Sequence, residues 1–359
     1  MTDVAAQTLH TPLCDLLGIR HPIIQTGMGW VSSADLVVAT ANAGAMGILA
    51  AATMKPDDVE RALRYIKERT DAPFGVGFLM GQPGEERIVA LLIEYGVKLA
   101  SFNKNPQQAV IRTLQRGGVL CVPTVGAVKH ARKVQQLGVD AMIVQGAEGG
   151  GHTGTVATSL LLPAVVEAVS IPVVAAGGYF DGRGLVAALA YGASGVAMGT
   201  RFLVTQESPV PAHVKRLYTE HKLEDTVVTD RIDGFPQRVI VNGTLRRIQR
   251  ATGPRRLAES VRLSMAFRKV SGMGPAEMAR AGLRMRSTHK LSLAQTLMAA
   301  NAPTLVRTAL VDGHPEDGIM PTGQVVGMIH DVPPVAELIE RIVGEATLTI
   351  ERLCSGVRA

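Results

Sequence analysis

Eight short apolar segments recur along the first 204 residues, and each is followed by a stretch with helical spacing. Apolar segments of four or five residues are typical of parallel strands that are buried on both faces. Eight such strands, at roughly 25 residues per unit, are the number that closes a (β/α)8 barrel. The segments lie at 22–26, 46–50, 74–78, 98–102, 119–122, 141–145, 172–176 and 196–199. The pattern predicts an α/β chain with a TIM barrel over residues 1–204.

An open, doubly wound sheet is the alternative architecture for alternating strands and helices. Such a sheet binds a dinucleotide through a Gly-x-Gly-x-x-Gly turn after its first strand. Here Gly27-Met-Gly-Trp30 continues as Val-Ser and lacks the third glycine. The barrel is therefore favoured.

Beyond Glu207 the alternation ends at Ser208-Pro-Val-Pro211. A strand pair is predicted within 226–241, with a break at Asp233-Gly234. Helices are predicted at 213–221, 255–270, 275–286 and 291–300. We expect an additional, mostly helical domain over 205–330 that acts as a substrate or cap domain. The final helix, within 331–359, is expected to pack back on the barrel.

Composition restricts the class of protein. Hydrophobic residues make up 47% and charged residues 19%, which is typical of a globular chain with a large core. Three widely separated cysteines suit a reducing compartment, and neither a secretory signal nor an apolar run of about 18 residues is evident. We expect a cytoplasmic protein without a membrane contact or a metal site.

A local basic excess leaves one remote alternative open. Residues 245–290 contain 12 Lys and Arg against 2 Asp and Glu. Such a segment can bind an anionic ligand or a nucleic acid, or can be a solvated helix face. Aromatic residues are only 4% of the chain, so few side chains are available to stack on the bases of a nucleic acid. We expect no nucleic-acid partner, and a basic nucleic-acid-binding protein remains the remote alternative.

The loop after the sixth strand combines glycines with one histidine, in Val144-Gln-Gly-Ala-Glu-Gly-Gly-Gly-His152-Thr-Gly154. Glycines let the backbone approach a ligand closely. A histidine titrates near pH 6.5 and can move a proton at neutral pH. Because active sites of barrels form on the loops after the strands, His152 is the candidate acid or base. Glu148 either orients His152 or is a solvated side chain.

Two further loops have the composition of a phosphate site. Gly177 and Gly178 follow the seventh strand, and Gly199, Thr200 and Arg201 follow the eighth. Barrels commonly bind phosphate at these two positions through backbone N–H groups. The competing interpretation is that the glycines only form tight turns.

Several motifs together resemble the nitronate monooxygenase family, formerly called 2-nitropropane dioxygenases, which are FMN-dependent barrels related to FMN-containing enoyl-acyl-carrier-protein reductases. The motifs are His21-Pro-Ile-Ile-Gln-Thr-Gly-Met, Gly-x-Glu-x-Gly-Gly-His at 146–152, Ala-Gly-Gly-x-x-Asp-Gly-Arg-Gly at 176–184, Gly-Val-Ala-Met-Gly-Thr-Arg-Phe at 195–202 and Thr322-Gly-Gln-Val-Val-Gly327. The resemblance implies FMN as the cofactor and His152 as the catalytic residue. The expected FMN contacts are Gly27, Met28, Gly29, Thr124, Gln145, Ala176, Gly177, Gly178, Gly199 and Thr200.

Three positions depart from the family's nitronate-oxidising members. Gly77 stands where many members have Asn or Gln, Thr124 where those enzymes have Lys, and Gln145 where they have Asp. The full pattern, including Val227-Val-Thr-x-Arg-x-Asp-Gly-x-Pro236, is more similar to a branch assigned to steroid degradation. Members of that branch are flavin-dependent dehydrogenases that introduce a double bond into a bicyclic CoA thioester.

The resemblance thus implies an FMN-dependent oxidoreductase that acts on a C–H bond next to a carbonyl or thioester. The alternative is a nitronate monooxygenase that uses molecular oxygen. A CoA substrate carries phosphates that suit arginines. The candidate substrate contacts are Trp30, Arg246, Arg247, Arg255 and Arg256. A small-molecule partner is expected, and a homodimer is allowed for.

Overall fold

The computed structural model describes residues 3–103, 106–251 and 293–356. Nine parallel strands form the central sheet, and all eight predicted barrel segments contribute to it. They are β1 (Ile23–Gln25), β2 (Met46–Ala50), β3 (Gly75–Leu79), β4 (Leu99–Asn103), β5 (Leu120–Cys121), β6 (Thr124–Val125), β7 (Met142–Gln145), β9 (Val173–Ala176) and β10 (Gly195–Met198).

The fifth predicted strand is divided into β5 and β6 at Pro123. β5 pairs with β4, whereas β6 pairs with β7, so the two halves of one segment join the two ends of the sheet. Proline has no N–H to donate, but its carbonyl still accepts from Ile143 N at 2.8 Å. The sheet therefore closes into the predicted TIM barrel, with strand order β5-β4-β3-β2-β1-β10-β9-β7-β6.

Helices surround the barrel and continue into the residues that follow it. The described residues between 205 and 333 are called the second region. Their bounds are α1 (Asp3–Leu9), α2 (Pro12–Leu17), α3 (Ala34–Asn42), α4 (Pro56–Lys67), α5 (Glu85–Glu94), α6 (Gln108–Arg116), α7 (Val128–Gln136), α8 (Thr158–Val166), α9 (Gly182–Ala190), α10 (Thr200–Leu203), α11 (Ala212–Glu220), α12 (Gly243–Arg250), α13 (Leu293–Leu310) and α14 (Val335–Ser355). Short 3-10 turns lie at Ala51–Thr53, Leu223–Asp225 and Gln324–Met328. Among the described helices, none is long and apolar enough to cross a membrane.

Local sequence signals account for several of these helices. The Ser33 side chain accepts from Leu36 N at the start of α3, which is the N-cap that serine favours. In α4, Val59, Leu63 and Ile66 recur at helical spacing and are fully buried.

Apolar side chains fill the barrel and close its N-terminal end. Ile24, Ile48 and Val174 from the strands share one buried cluster with Leu13 and Leu17 of α2. Helix α2 therefore closes the end of the barrel where the strands begin. The active site is therefore expected at the opposite end of the barrel, at the C-terminal ends of the strands.

The final helix lies against the barrel's outer helices. Ile339 and Ile342 of α14 are buried in the same cluster as the inner faces of α3, α4 and α9. A methyl group on Gly182 of α9 would lie 2.4 Å from the Ile342 carbonyl, so the two helices are in backbone contact.

A small antiparallel sheet extends from the second region to the barrel. The predicted strand pair is present as β11 (Thr226–Thr229) and β12 (Gln237–Ile240). A third strand, β8 (Gly151–His152), comes from the glycine-rich loop and pairs with β12. This pairing was not predicted. The predicted helical segments 255–270 and 275–286 lie outside the described residues.

Residues 205–251 and 301–333 share a core with the barrel's loops. Tyr218, Ile240 and Val326 are buried together with Val31 from the loop after β1 and Leu203 of α10. The second region is thus packed directly on the end of the barrel where the strands end.

Candidate active site

The loops that follow the barrel strands meet at one rim. A methyl group on Gly199, after β10, would lie 3.5 Å from Met28 Sδ, after β1. A methyl group on Gly177, after β9, would lie 3.2 Å from the backbone nitrogen of Gly146, after β7. The structure therefore brings together the predicted cofactor loops after β1, β7, β9 and β10.

The remaining predicted cofactor residues lie at the same rim. Gln145 and Ala176 are the last residues of β7 and β9, and Gly178 follows in the loop after β9. Thr200 begins α10. Thr124 opens β6, directly after Pro123.

Residues 144–154 form an ordered turn. β8 runs antiparallel to β12 with His152 opposite Gln237. The Gln145 side chain donates to the His152 carbonyl at 2.8 Å, and the Arg238 guanidinium donates to another loop carbonyl at 3.0 Å. These contacts come from both the barrel and the second region, so the loop is held between them.

His152 is paired with a carboxylate from the second region. Its Nε2 lies 2.6 Å from Oδ2 of Asp233, which belongs to the turn between β11 and β12. The other carboxylate oxygen accepts from Phe235 N at 3.1 Å, and the Phe235 ring meets the imidazole edge-on at 6.0 Å. The His152 side chain is 45% exposed and that of Asp233 13% exposed. The ring can therefore meet a substrate while its partner is largely shielded.

The charge of Asp233 follows from its contacts. Burial acts to raise the pKa of this carboxyl, but the hydrogen bond and charge of His152 and the hydrogen bonds from Gln237 and Phe235 act against it. The net result is a pKa below the ordinary value of an aspartate. Asp233 is consequently ionised at neutral pH and accepts hydrogen bonds.

Glu148 does not orient His152, and it is not free in solvent. Its carboxylate accepts from Thr158 N at 3.0 Å and Thr158 Oγ1 at 2.7 Å, at the first residue of α8. An acidic group at the N-terminus of a helix accepts a hydrogen bond from an N–H group that has no partner within the helix. Its negative charge also interacts favourably with the helix dipole. Glu148 therefore anchors the loop on a helix.

Glycine backbone forms the rim between the first and third strands. A methyl group on Gly27 would lie 3.8 Å from Gly77 Cα, so two residues without side chains are neighbours there. Across the rim, Gly177 and Gly178 both have positive φ, at 97° and 85°. Within the described residues the N–H group of Gly178 has no protein acceptor. A free N–H group in such a glycine turn suits an anionic ligand.

Residues 322–327 lie at the rim beside α10, the helix that follows β10. Gly323 N donates to Thr200 Oγ1 at 2.8 Å, and Gln324 N donates to the Glu148 carbonyl at 2.9 Å. Arg201, which sequence suggested as a charge for a phosphate, is 3% exposed and pairs with Asp331. That suggestion is wrong, because the guanidinium is buried and already bound by Asp331 and the Val204 carbonyl.

Trp30 connects the loop after β1 with the second region. Its Nε1 donates to the Pro303 carbonyl of α13 at 2.9 Å, and the Arg307 guanidinium lies 5.4 Å from the ring centre. Its φ of 67° is the only positive value of a non-glycine residue in the described part of the chain. Trp30 is thus held in a costly conformation at the rim.

The predicted arginine contacts are only partly described. Arg246 and Arg247 lie on the exposed face of α12, whose Leu245 and Ile248 are buried. Arg247 donates to Thr244 Oγ1 at 2.6 Å. Arg255 and Arg256 lie outside the described residues.

Sequence reasoning missed Asp233 as the partner of His152. The residue stood in the motif 227–236, where Asp233-Gly234 was interpreted only as a hairpin turn. It is 81 positions from His152, and no periodicity relates the two residues. The only available signal was that the motif combines an acidic residue with a turn.

Comparison with known proteins gives a consistent result. The sequence model of the nitronate monooxygenase family matches residues 10–88 and 77–345. A Mycobacterium tuberculosis protein named (3aS,4S,5R,7aS)-5-hydroxy-7a-methyl-1-oxo-octahydro-1H-indene-4-carboxyl-CoA dehydrogenase is 52% identical over 94% of this chain and 96% of its own length. A protein of the same name from Rhodococcus jostii is 47% identical over 96% of this chain and 98% of its own length.

Among solved structures, FabK from Thermotoga maritima is similar over nearly the full length of this chain. The TM-score is 0.79 at 34% identity, with 97% of this chain and 99% of FabK covered. The architecture of the barrel and the attached region is therefore shared with this structure.

Proposed function

Because the chain belongs to the nitronate monooxygenase family, we propose that this oxidoreductase is a flavin enzyme that introduces a double bond into a bicyclic CoA thioester. The observation that carries the proposal is the agreement of two relatives, both similar over nearly their full length and both named as dehydrogenases of one indene-carboxyl-CoA ester. The contact of the half-exposed His152 with Asp233 supports His152 as the proposed base.

FMN is the proposed cofactor. The N–H group of Gly178, with the backbone of Gly177 and Gly199 and the hydroxyl of Thr200, would hold its phosphate. Gly27, a residue without a side chain, would lie against its flat ring system. Met28, Gly29, Thr124, Gln145 and Ala176 are the other proposed contacts. When bound, FMN supplies the acceptor for the hydride that a dehydrogenation removes.

The protein's own residues supply the proton chemistry. A C–H bond next to a thioester carbonyl is acidified, and His152 is the proposed acceptor of its proton. General-base help of this kind contributes on the order of 10²–10⁴-fold to the rate. The half-exposed imidazole is open to a substrate on one side and held by Asp233 on the other.

Trp30 and the arginines of α12 are the proposed substrate contacts. Trp30 lies at the rim, and Arg246 and Arg247 offer exposed charge for the phosphates of CoA. Arg255 and Arg256 complete this proposal from the adjoining sequence.

Anaerobic mixing tests the proposal. The FMN-loaded protein is mixed with the indene-carboxyl-CoA ester and, separately, with an alkyl nitronate. We expect the CoA ester to remove the absorbance of oxidised flavin and to yield a product that lacks two hydrogens. Loss of that absorbance with the nitronate alone would favour the nitronate monooxygenase alternative. Failure of the protein to bind FMN would exclude both.

A variant completes the experiment. His152→Ala should still bind FMN but lose turnover of the CoA ester by on the order of 10²–10⁴-fold. Unchanged turnover would refute the role of His152.

A further inference from the structure

A barrel loop and a hairpin of the second region meet at the imidazole of His152. The histidine belongs to β8, and Asp233 belongs to the turn that connects β11 with β12. Because β8 pairs with β12, the backbones of the two elements are fixed relative to each other. The contact between the two side chains is therefore set by strand register and not by a chance meeting of surface groups.

The Asp233 carboxylate is held at both oxygens. Oδ1 accepts from Phe235 N, and Oδ2 meets His152 Nε2. Gln237 lies opposite His152 in the strand pair, so the strand that follows the turn of Asp233 is fixed beside the histidine. A carboxylate fixed in this way presents one oxygen to the imidazole in one orientation.

This contact distinguishes the two ring nitrogens. A carboxylate accepts hydrogen bonds and has no hydrogen to donate, so Nε2 carries the hydrogen in the pair. In the neutral imidazole, Nδ1 is then the unprotonated nitrogen with a free lone pair. Within the described residues, Nδ1 has no hydrogen-bond partner.

We propose that Asp233 is the positioning residue of His152, and that it holds the imidazole in the Nε2–H form so that Nδ1 takes the substrate proton. This inference rests on the proposed function. In the step, the proton leaves the C–H bond next to the thioester carbonyl and binds to Nδ1. The electron pair of that bond stays on carbon and is delocalised into the carbonyl. The imidazolium so formed faces the negative charge of Asp233, which stabilises it.

The proposal has a consequence for the organisation of the site. The proton acceptor lies on the barrel, but the group that orients it lies on the second region. The site is complete only when the β11–β12 hairpin is docked on β8.

Nitrogen NMR of the FMN-loaded enzyme without substrate tests the proposal directly. Histidine is labelled with ¹⁵N, and the His152 signals are assigned by their loss in His152→Gln. We expect the neutral ring of the native enzyme to be protonated at Nε2. In Asp233→Asn, whose amide can donate to Nε2, we expect a shift toward the Nδ1–H form. A native ring protonated at Nδ1 would overturn the proposal, and this measurement needs no variant of Asp233.

Kinetics supply the second readout. Asp233→Asn should lower kcat for the CoA ester by on the order of 10²–10⁴-fold, with a smaller change in KM and with FMN binding and thermal unfolding retained. Asp230→Asn is the matched control, because it removes the same charge from an exposed position of the same turn. It should leave both the tautomer and kcat unchanged. An Asp233→Asn enzyme with native tautomer and kcat would refute the proposal.

The outcomes separate this inference from the proposed function. If the tautomer changes in Asp233→Asn but no CoA ester reacts with the native enzyme, the positioning role stands and the proposed substrate is wrong. If the ester reacts but the tautomer is unaffected by Asp233, the substrate stands and the positioning role is wrong.

Discussion

Arg201 Nη1 lies 2.8 Å from Asp331 Oδ1, and this contact joins α10, which follows β10, to the residues that lead into α14. A second nitrogen of the same guanidinium donates to the carbonyls of Val204 and Asp331. Burial lowers the pKa of Arg201, and the contacts with Asp331 act against that shift. Arg201 therefore has a structural role, because its buried guanidinium binds Asp331 and stabilises the last β/α unit of the barrel.

Removal of Asp331 should destabilise the protein. Asp331→Ala leaves the guanidinium of Arg201 without its counter-charge at a position that is 3% exposed. We expect a loss of about 3 kcal/mol in the free energy of unfolding, at the lower end for a buried pair because Asp331 itself is half-exposed. Arg341 binds the same carboxylate from a more exposed position, so Arg341→Ala should cost less than about 1 kcal/mol. Denaturant titration measures both, and equal losses would contradict this account.

The same carboxylate should make stability depend on pH. Burial acts to raise the pKa of Asp331, but its contacts with Arg341 and Arg201 hold it below the ordinary value of 3.8. The unfolded chain therefore binds the proton more readily, and this contribution to stability is present above about pH 4 and lost as the pH falls through the folded-state value. The difference in unfolding free energy between the native protein and Asp331→Asn should shrink on acidification. A difference that is constant or grows would count against the assignment.

Glu148 should contribute to stability through helix α8. Glu148→Ala removes the acceptor for Thr158 N and Oγ1, and we expect a loss of about 1 kcal/mol. Glu167 follows the last turn of the same helix and is exposed, so Glu167→Ala should be neutral or slightly stabilising. Thermal unfolding compares the two. A change in the tautomer of His152 in Glu148→Gln would show that Glu148 acts on the histidine after all.

Gly77 should control the space at the rim rather than the stability of the barrel. A methyl group there would meet Ile48 Cγ2 at 3.4 Å, which a small shift relieves, whereas a methyl group on Gly47 would lie 2.8 Å from the Val37 carbonyl. We expect Gly77→Asn to fold and bind FMN but to raise KM for the bicyclic CoA ester. Gly47→Ala should lose about 1–3 kcal/mol of stability. Unfolding titrations and steady-state kinetics separate these effects, and an unchanged KM in Gly77→Asn would remove Gly77 from the substrate space.

Most of the barrel was predictable because its signals are local. A strand that is buried on both faces must be apolar throughout, and a helix on its surface must carry an apolar stripe, as Val59, Leu63 and Ile66 do. The division of the fifth strand was not predicted. Before Pro123 the chain pairs with β4, and after Pro123 it pairs with β7. This change of partner depends on how the whole sheet closes and not on the local sequence.

The sequence by itself determined which loops form the candidate site, because parallel strands in a barrel all end at one rim. Loops rich in glycine after β1, β7, β9 and β10 must meet there, and His152 must lie among them. Only the tertiary structure decided what each charged side chain contacts. Asp233 reaches His152, Glu148 reaches α8 and Arg201 reaches Asp331 because the second region packs on the rim and the β11–β12 hairpin pairs with β8. Such pairings join residues far apart in the chain, and their free energy arises from docking and burial that no local pattern records.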